Sequence, residues 1–327
     1  MKKELWMAEP MFLKPYFQEK MWGGDKLATE FGYQIPSDHT GECWAISAHP
    51  HGPATVENGK YKGMTLDQVW KDHREVFGNA QGDVFPLLTK ILDAKIDLSV
   101  QVHPDDAYAE EHEHELGKTE CWYVIEADEG AMMYYGHNAQ SREEFAEMIK
   151  KGEWDKLLRK IPVHAGDFLY VPSGTVHAVG KGIMVLETQQ SSDTTYRMYD
   201  FDRVDASTGK KRDLHIQQSI DCAMIPHKDP KLNQKHFQVG DVAVTQFVST
   251  EFFAVYEWKV DGGQGTFTRG NAPYTLVSVL DGEGQIEVDG KAYDLKKGMH
   301  FILPYDVKKW TLRGKMQIIA SEPGEKA

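Results

Sequence analysis

Val163-His164-Ala165-Gly166-Asp167-Phe168-Leu169-Tyr170-Val171-Pro172-Ser173-Gly174-Thr175-Val176-His177-Ala178 is the stretch whose reading decides the fold. Gly166 marks a turn, Phe168 to Val171 form a short apolar strand, and Pro172 with Gly174 stops it. A second short strand presents His177 after β-branched Val176. The pattern returns about 130 residues later as Lys297-Gly298-Met299-His300-Phe301-Ile302-Leu303-Pro304-Tyr305-Asp306-Val307-Lys308-Lys309. Gly298 then matches Gly166, Pro304 matches Pro172, and Lys309 stands where His177 stands. The expected fold is mainly β, with two jelly-roll or β-barrel units and a few helices inserted in and around the first. Residues 1–236 form the first unit and residues 237–327 the second, where the composition shifts to short strands and tight turns. Only the first copy keeps the histidine. A site belongs there, and the second copy reads as structural.

Composition narrows the function. The 327 residues carry a formal net charge of −13, which argues against a general binder of nucleic acid or membrane surfaces. An anionic small substrate needs a local basic pocket. Hydrophobic residues at 41% suffice for buried cores, and no apolar run approaches the ~18 residues of a membrane span. Residues 1–6 lack the apolar core of a secretory signal. Cys43, Cys121 and Cys222 fall in no paired motif, which fits a reducing cytoplasm better than a disulfide framework.

Taken in order, the chain begins with short extended pieces, broken by Pro10, Pro15 and the pair Gly23-Gly24. A strand follows at residues 41–47, and His49-Pro50-His51-Gly52 ends it in what reads as a polar turn. Thr65 and Gln68 make a capping box, Leu66, Val69, Trp70, Val76 and Phe77 form a helical stripe, and Gly78 closes it. Period-two alternation places Ser99, Gln101 and His103 on one strand face. Asp105 or Asp106 caps a short acidic helix on which His112 and His114 are surface residues. Glu120 enters an apolar, aromatic strand and calls for a partner there, either a metal or Lys118 on the same face. Ser141 caps another helix, and residues 183–189 form a clear strand. Near the C-terminus, Asp281-Gly282-Glu283-Gly284 and Asp289-Gly290 read as turns in a run of hairpins.

Polar residues from several strands can converge at the mouth of a barrel. Gln101, His103, Glu120 and His177 come from three expected strands and together offer nitrogen and oxygen donors. Two imidazoles with a carboxylate suit zinc and equally suit non-haem Fe(II).

Several separate motifs add a family resemblance over nearly the whole chain. Trp22-Gly23-Gly24, Glu42 with Ile46-Ser47-Ala48-His49-Pro50, Ser99-Val100-Gln101-Val102-His103-Pro104 and Gly117-Lys118-Thr119-Glu120 resemble those of type I mannose-6-phosphate isomerases. Pro172-Ser173-Gly174-Thr175-Val176-His177-Ala178 and Arg197 complete the series, and the chain resembles the short bacterial form of this cupin family. The resemblance implies two cupin units, one zinc ion held by Gln101, His103, Glu120 and His177, and a catalytic arginine at Arg197. It also implies interconversion of mannose 6-phosphate and fructose 6-phosphate through a cis-enediol. Lys90 and Lys118 are candidates for proton handling or phosphate attraction, each on a ligand-bearing or adjacent strand. The simpler readings are an exposed strand lysine for Lys90 and an ion pair with Glu120 for Lys118. Ser99 is a candidate sugar or phosphate contact, while Trp22 and Glu42 either line the cavity or buttress it. The segment before Arg197, Asp193-Thr194-Thr195-Tyr196, departs from the longer enzymes, and their long helical insert is much reduced. An Fe(II) cupin oxygenase and a silent sugar-binding cupin stand as alternatives. The expected partner is a sugar phosphate alone, in a monomer or homodimer.

Overall fold

The computed structural model describes residues 8–205 and 208–326; the reading of residues 1–6 lies outside them. Strands make up 44% of the chain and helices 15%, and the strands pair antiparallel in three sheets. The first unit contributes a six-stranded sheet and a five-stranded sheet. In the six-stranded sheet the order is Phe168–Val171, Glu120–Ala127, Ile183–Gln190, Leu87–Ala94, Tyr16–Gly24 and Thr40–Ile46. The five-stranded sheet runs Tyr196–Tyr199, Val100–Val102, His177–Ala178, Met132–His137 and Leu158–Pro162. The nine-stranded sheet is built mainly from residues beyond Lys235, but it also takes in Met11–Lys14 and Thr55–Val56. Met11–Lys14 lies beside His300–Leu303, with Phe12 opposite Phe301.

The internal repeat holds at the level of single hydrogen bonds. Phe168–Val171 and His300–Leu303 occupy matching places, and both following strands begin at matching residues, His177 and Lys309. Gly166 (φ 92°) and Gly298 (φ 87°) both adopt the left-handed conformation that the turn requires. The Gly166 N–H donates to Val124 O at 2.8 Å, and the Gly298 N–H donates to Val279 O at 2.9 Å. After each proline the chain turns identically: Thr175 N–H to Pro172 O and Val307 N–H to Pro304 O are both 3.1 Å.

Local chemistry explains the helices. Thr65 caps Leu66–Asp72 with the expected box, its N–H donating to Gln68 Oε1 at 3.1 Å. The apolar stripe does not stay on one α-helix, because Arg74–Phe77 forms a separate 3₁₀ turn before Gly78. Its residue Phe77 packs edge-on against Phe85 and Tyr274, joining the first unit's core to the second. Such ring pairs add about 0.5–1.5 kcal/mol each beyond the area they bury. Asp105, not Asp106, caps the acidic helix Asp106–His112, accepting from Tyr108 N–H at 2.9 Å.

One expected turn is absent. Asp281 to Gly284 lies inside a continuous strand, Thr275–Val288, whose register shifts between Val279 and Asp281. The extra residue is Leu280, and Asp281 and Gly282 (φ 77°) stay paired with Gln317 and Met316, so the Asp-Gly pair continues a bulged strand instead of reversing it. Asp289-Gly290 does form a reversal, between Val288 and its partner Lys291.

Candidate metal centre and active-site cleft

The floor of the site is assembled from both sheets of the first unit. Gln101 and His177 stand directly opposite each other in the five-stranded sheet, and Arg197 is opposite Gln101 on its other side. Glu120 starts the facing strand of the six-stranded sheet, and His103 follows Val102 just beyond its own strand. Glu120 Oε1 lies 3.2 Å from His177 Nε2, and Glu120 Oε2 lies 3.5 Å from His103 Nε2. The Gln101 amide end is 3.4 Å from His177 Nε2.

Each imidazole has one nitrogen already committed. His103 Nδ1–H donates to Thr194 O at 2.9 Å, and His177 Nδ1–H donates to Thr175 O at 2.8 Å. Both Nε2 lone pairs are thereby left for the centre of the site. Burial, then Lys118, holds His103 well below its ordinary pKa, so its contact with Glu120 is not an ion pair. Burial alone would raise the Glu120 pKa, but Lys118, then His103 and His177, pull it below the usual carboxylate range. His103 Nε2 and both Glu120 oxygens are buried without a hydrogen-bond donor. Three acceptor atoms aimed at one another in a dry site have no hydrogen bond between them, and the one nearby cation, Lys118, stands to the side at 3.6 Å from Glu120 Oε2. A divalent metal fits this donor set. Turning the Gln101 amide over brings its oxygen to the same point.

Above this floor opens a cleft whose walls are cationic. Lys20, Lys90, Lys118, Arg197 and Arg212 line it, against the carboxylates Glu42, Glu187 and Asp193. Here is the local basic pocket that an anionic substrate demands of an acidic chain. Trp22, Ser99 and Gln101 line the same cleft, so all ten residues singled out from the sequence meet at one place. The Trp22 ring lies over Gly41, where an added Cβ would come within 2.7 Å of it.

Strand pairing sets the chemistry of one wall. Trp122, Glu187, Lys90 and Trp44 are directly opposed across four neighbouring strands and share one face. Lys90 is buried, contrary to its reading as an exposed strand lysine. Its Nζ sits 4.0 Å from Glu187 Oε1, 3.8 Å from Glu42 Oε2, and 4.5 Å above the Trp44 ring. Trp122 Nε1–H donates to Glu187 at 3.0 Å, and Trp44 Nε1–H donates to Glu42 at 2.6 Å. The two carboxyls nonetheless differ. Burial tends to raise both; in Glu42 this is outweighed by Lys90 and Lys20, so its pKa is lowered. In Glu187, burial and then the charge of Glu120 push the pKa up to about 7. Lys118 lies 3.6 Å from Glu120 Oε2, so the ion pair is present. Burial opposes the Lys118 charge, but Glu120 more than restores it. Arg197 donates through Nη1 to Asp213 O at 2.9 Å, while its buried Nε has no partner.

Glu187, Asp193, Thr195, Arg212 and Lys20 line the cleft but were missed from the sequence. Glu187 did carry a signal, being the one carboxylate in an eight-residue strand that is buried throughout. Arg212 carried none. The turn at His49 also differs from its reading, because His49 is buried while the His51 side chain is 61% exposed.

Comparison with known proteins agrees with this geometry. The family model described as phosphomannose isomerase type I, catalytic domain, matches residues 11–134. A second, mannose-6-phosphate isomerase, cupin domain, matches residues 243–323. A mannose-6-phosphate isomerase of Streptococcus mutans is 58% identical over 319 residues, covering 98% of this chain and 100% of the relative. Mannose-6-phosphate isomerase ManA of Bacillus subtilis is 51% identical, over 96% of this chain and 99% of its own length. The crystal structure of the mannose 6-phosphate isomerase from Bacillus subtilis superposes with a TM-score of 0.93 at 50% identity, covering 96% and 99% of the two chains. With sequence likeness end to end and both cupin units in register with their relatives, the chain belongs to the type I mannose-6-phosphate isomerases.

Proposed function

We propose that the chain interconverts D-mannose 6-phosphate and D-fructose 6-phosphate, with zinc held by Gln101, His103, Glu120 and His177. One observation carries the reading: buried, donorless acceptors converge at the floor of a cationic cleft in a chain of net charge −13. When bound, the metal supplies Lewis acidity to the sugar oxygens around the reacting carbons. The protein does the rest. Arg197 and Arg212 attract the phosphate dianion, and the unpartnered Arg197 Nε offers a donor to an oxyanion. Ser99 supplies a hydroxyl, and Trp22 closes one side of the cleft.

Isomerisation removes a proton beside the carbonyl and returns it to the neighbouring carbon. Glu187, whose pKa burial raises from the usual carboxylate range, suits both halves of that exchange. Lys90, between Glu187 and Glu42, stabilises the carboxylate that remains after the proton is returned. Lys118 keeps its charge beside Glu120 and acts as an electrostatic stabiliser, not as a base. Residues 1–236 constitute the catalytic unit in this reading, and residues 237–327 its structural companion. Three unpaired cysteines support a cytoplasmic setting for a monomer or homodimer.

A coupled assay of hexose 6-phosphate isomerisation on metal-stripped and zinc-restored protein tests the proposal. Activity should vanish on stripping and return with zinc. A restored sample without turnover removes the reading. Dependence on iron and O₂ would favour the oxygenase, and sugar binding without conversion would favour the silent cupin.

A further inference from the structure

The histidine metal ligand that lies outside regular structure depends on a loop, and that loop is held from an unexpected quarter. Residues 191–195 belong to no strand or helix, yet Thr194 O is the acceptor that orients His103 Nδ1–H. The same loop carries Asp193 and Thr195 into the cleft and leads directly to Arg197. Backbone bonds hold only its start, where Ser191 N–H donates to Pro86 O and Ser192 N–H to Gln190 O, both at 2.8 Å. Gln189 Nε2–H reaches Ser192 O at 2.7 Å, and Thr194 N–H turns back to Ser192 Oγ at 3.2 Å. A further anchor is Glu115, just past the acidic helix. Its Oε2 accepts from Thr194 Oγ–H at 2.8 Å and from Ser192 Oγ–H at 3.1 Å.

The other Glu115 oxygen faces the buried histidine of the His49-Pro50-His51 turn, 3.8 Å from His49 Nε2. His49 Nδ1 already accepts the His51 N–H at 3.2 Å, so the imidazole proton sits on Nε2 and points toward Glu115. Burial keeps this imidazole below its ordinary pKa, so the contact is made by a neutral ring. His51 in turn meets Asp193, between Ser192 and Thr194, at 3.0 Å. Nearby, Tyr196 O–H donates to Glu113 at 2.7 Å. Two segments distant in sequence, the His49 turn and residues 192–194, thus meet on one carboxylate that does not line the cleft.

We infer that Glu115 is a positioning residue, holding residues 192–194 in the conformation through which Thr194 O aims His103 Nε2 at the metal. The inference rests on the metal site proposed above. Removing the acceptor frees the two hydroxyls, lets Thr194 O drift, and releases the tautomer and aim of His103. Outer groups of this kind are worth roughly 10–100-fold in metal affinity or activity.

The test titrates metal-stripped wild type, Glu115→Ala and Glu115→Gln with Co²⁺, following the visible absorption that reports coordination geometry, alongside kcat and KM with zinc. Wild type should bind one Co²⁺ per chain. Glu115→Ala should bind about 10–100-fold more weakly, with an altered band and a drop in kcat that exceeds any change in KM. Glu115→Gln retains an acceptor oxygen and should recover most of the affinity and the band. A Glu115→Ala protein with wild-type cobalt affinity and spectrum overturns the inference while leaving the metal site standing. Wild type that binds no cobalt overturns both. Should Glu115→Ala fail to fold, the Ser192→Ala/Thr194→Val variant removes the same two donors and carries the same expectations.

Discussion

The mouths of the two cupin units share a backbone and differ in what fills them. In the first, His177 faces Gln101 across a strand pair; in the second, Lys309 faces Thr268. The strand partner of Val171 is Glu120, and that of Leu303 is Thr275. Two residues further along, the pair Trp122 and Glu187 is replaced by Val277 and Ala320. Into the second mouth the chain sends its own cation. Arg269 donates to Val307 O, Leu303 O and Pro304 O at 2.9 Å each, and to Thr275 Oγ1 at 3.2 Å. That guanidinium gathers the rim carbonyls, adding a second donor at Pro304 O, which already takes the Val307 N–H. In the first mouth His103 Nε2 and both Glu120 oxygens take no hydrogen bond from the protein, a gap that a metal ion would fill. One scaffold is closed by an arginine in the second unit and left open, lined with imidazole and carboxylate, in the first.

Three substitutions press on that contrast. Removing a ligand from the open mouth has the largest effect. His177→Ala should fall below roughly one-hundredth of wild-type activity, a greater loss than outer-shell changes cause. Its unfolding temperature should also stop responding to zinc, whereas wild type gains about 2.7 kcal/mol at free metal 100 times its Kd. Zinc-restored His177→Ala with a wild-type kcat would falsify the ligand assignment. Next comes the wall that the second unit lacks. Glu187→Gln preserves an acceptor for Trp122 and abolishes titration, so kcat should drop about 10²–10⁴-fold with KM little changed. The active base is the deprotonated carboxylate, so wild-type kcat/KM should rise with pH through the Glu187 pKa, which burial raises and which a metal held by Glu120 brings below the metal-free value of about 7. The variant should lack that limb; if the limb persists in it, another group is the base. The smallest effect lies in the closed mouth. Arg269→Ala strips a donor from several carbonyls and should lower unfolding free energy by about 2–3 kcal/mol, leaving zinc affinity and the kcat of folded protein unchanged. A cost under about 0.5 kcal/mol, the level of an ordinary surface change, would mean that the arginine is not the closing element.

Much of this contrast was readable in advance because turn chemistry is local. Gly166, Pro172, Gly298 and Pro304 state their backbone needs within a few residues, and the missing second histidine followed by alignment. Glu120 was conspicuous as a carboxylate in an apolar strand. Glu187 had the same credentials but went unremarked, because its meaning lies in its register partners Trp122 and Lys90. Register is a long-range property. Asp281-Gly282 misled for the opposite reason, since one dipeptide serves both a hairpin turn and a bulge. Nothing near Arg269 or Glu115 in the sequence announces partners so far away along the chain.

The strand Met11–Lys14 has a consequence for how the protein is made. Its neighbour, His300–Leu303, leaves the ribosome nearly a whole chain later. At ~5–20 residues per second, that delay is roughly 15–60 s. Throughout it, the side chains of Met11 and Leu13, which end almost fully buried, have no native strand to meet on that side. The sheet that takes in Met11–Lys14 therefore closes only after translation is nearly complete. A nascent chain stalled short of residue 300 would present this apolar strand to chaperones or to other copies of itself.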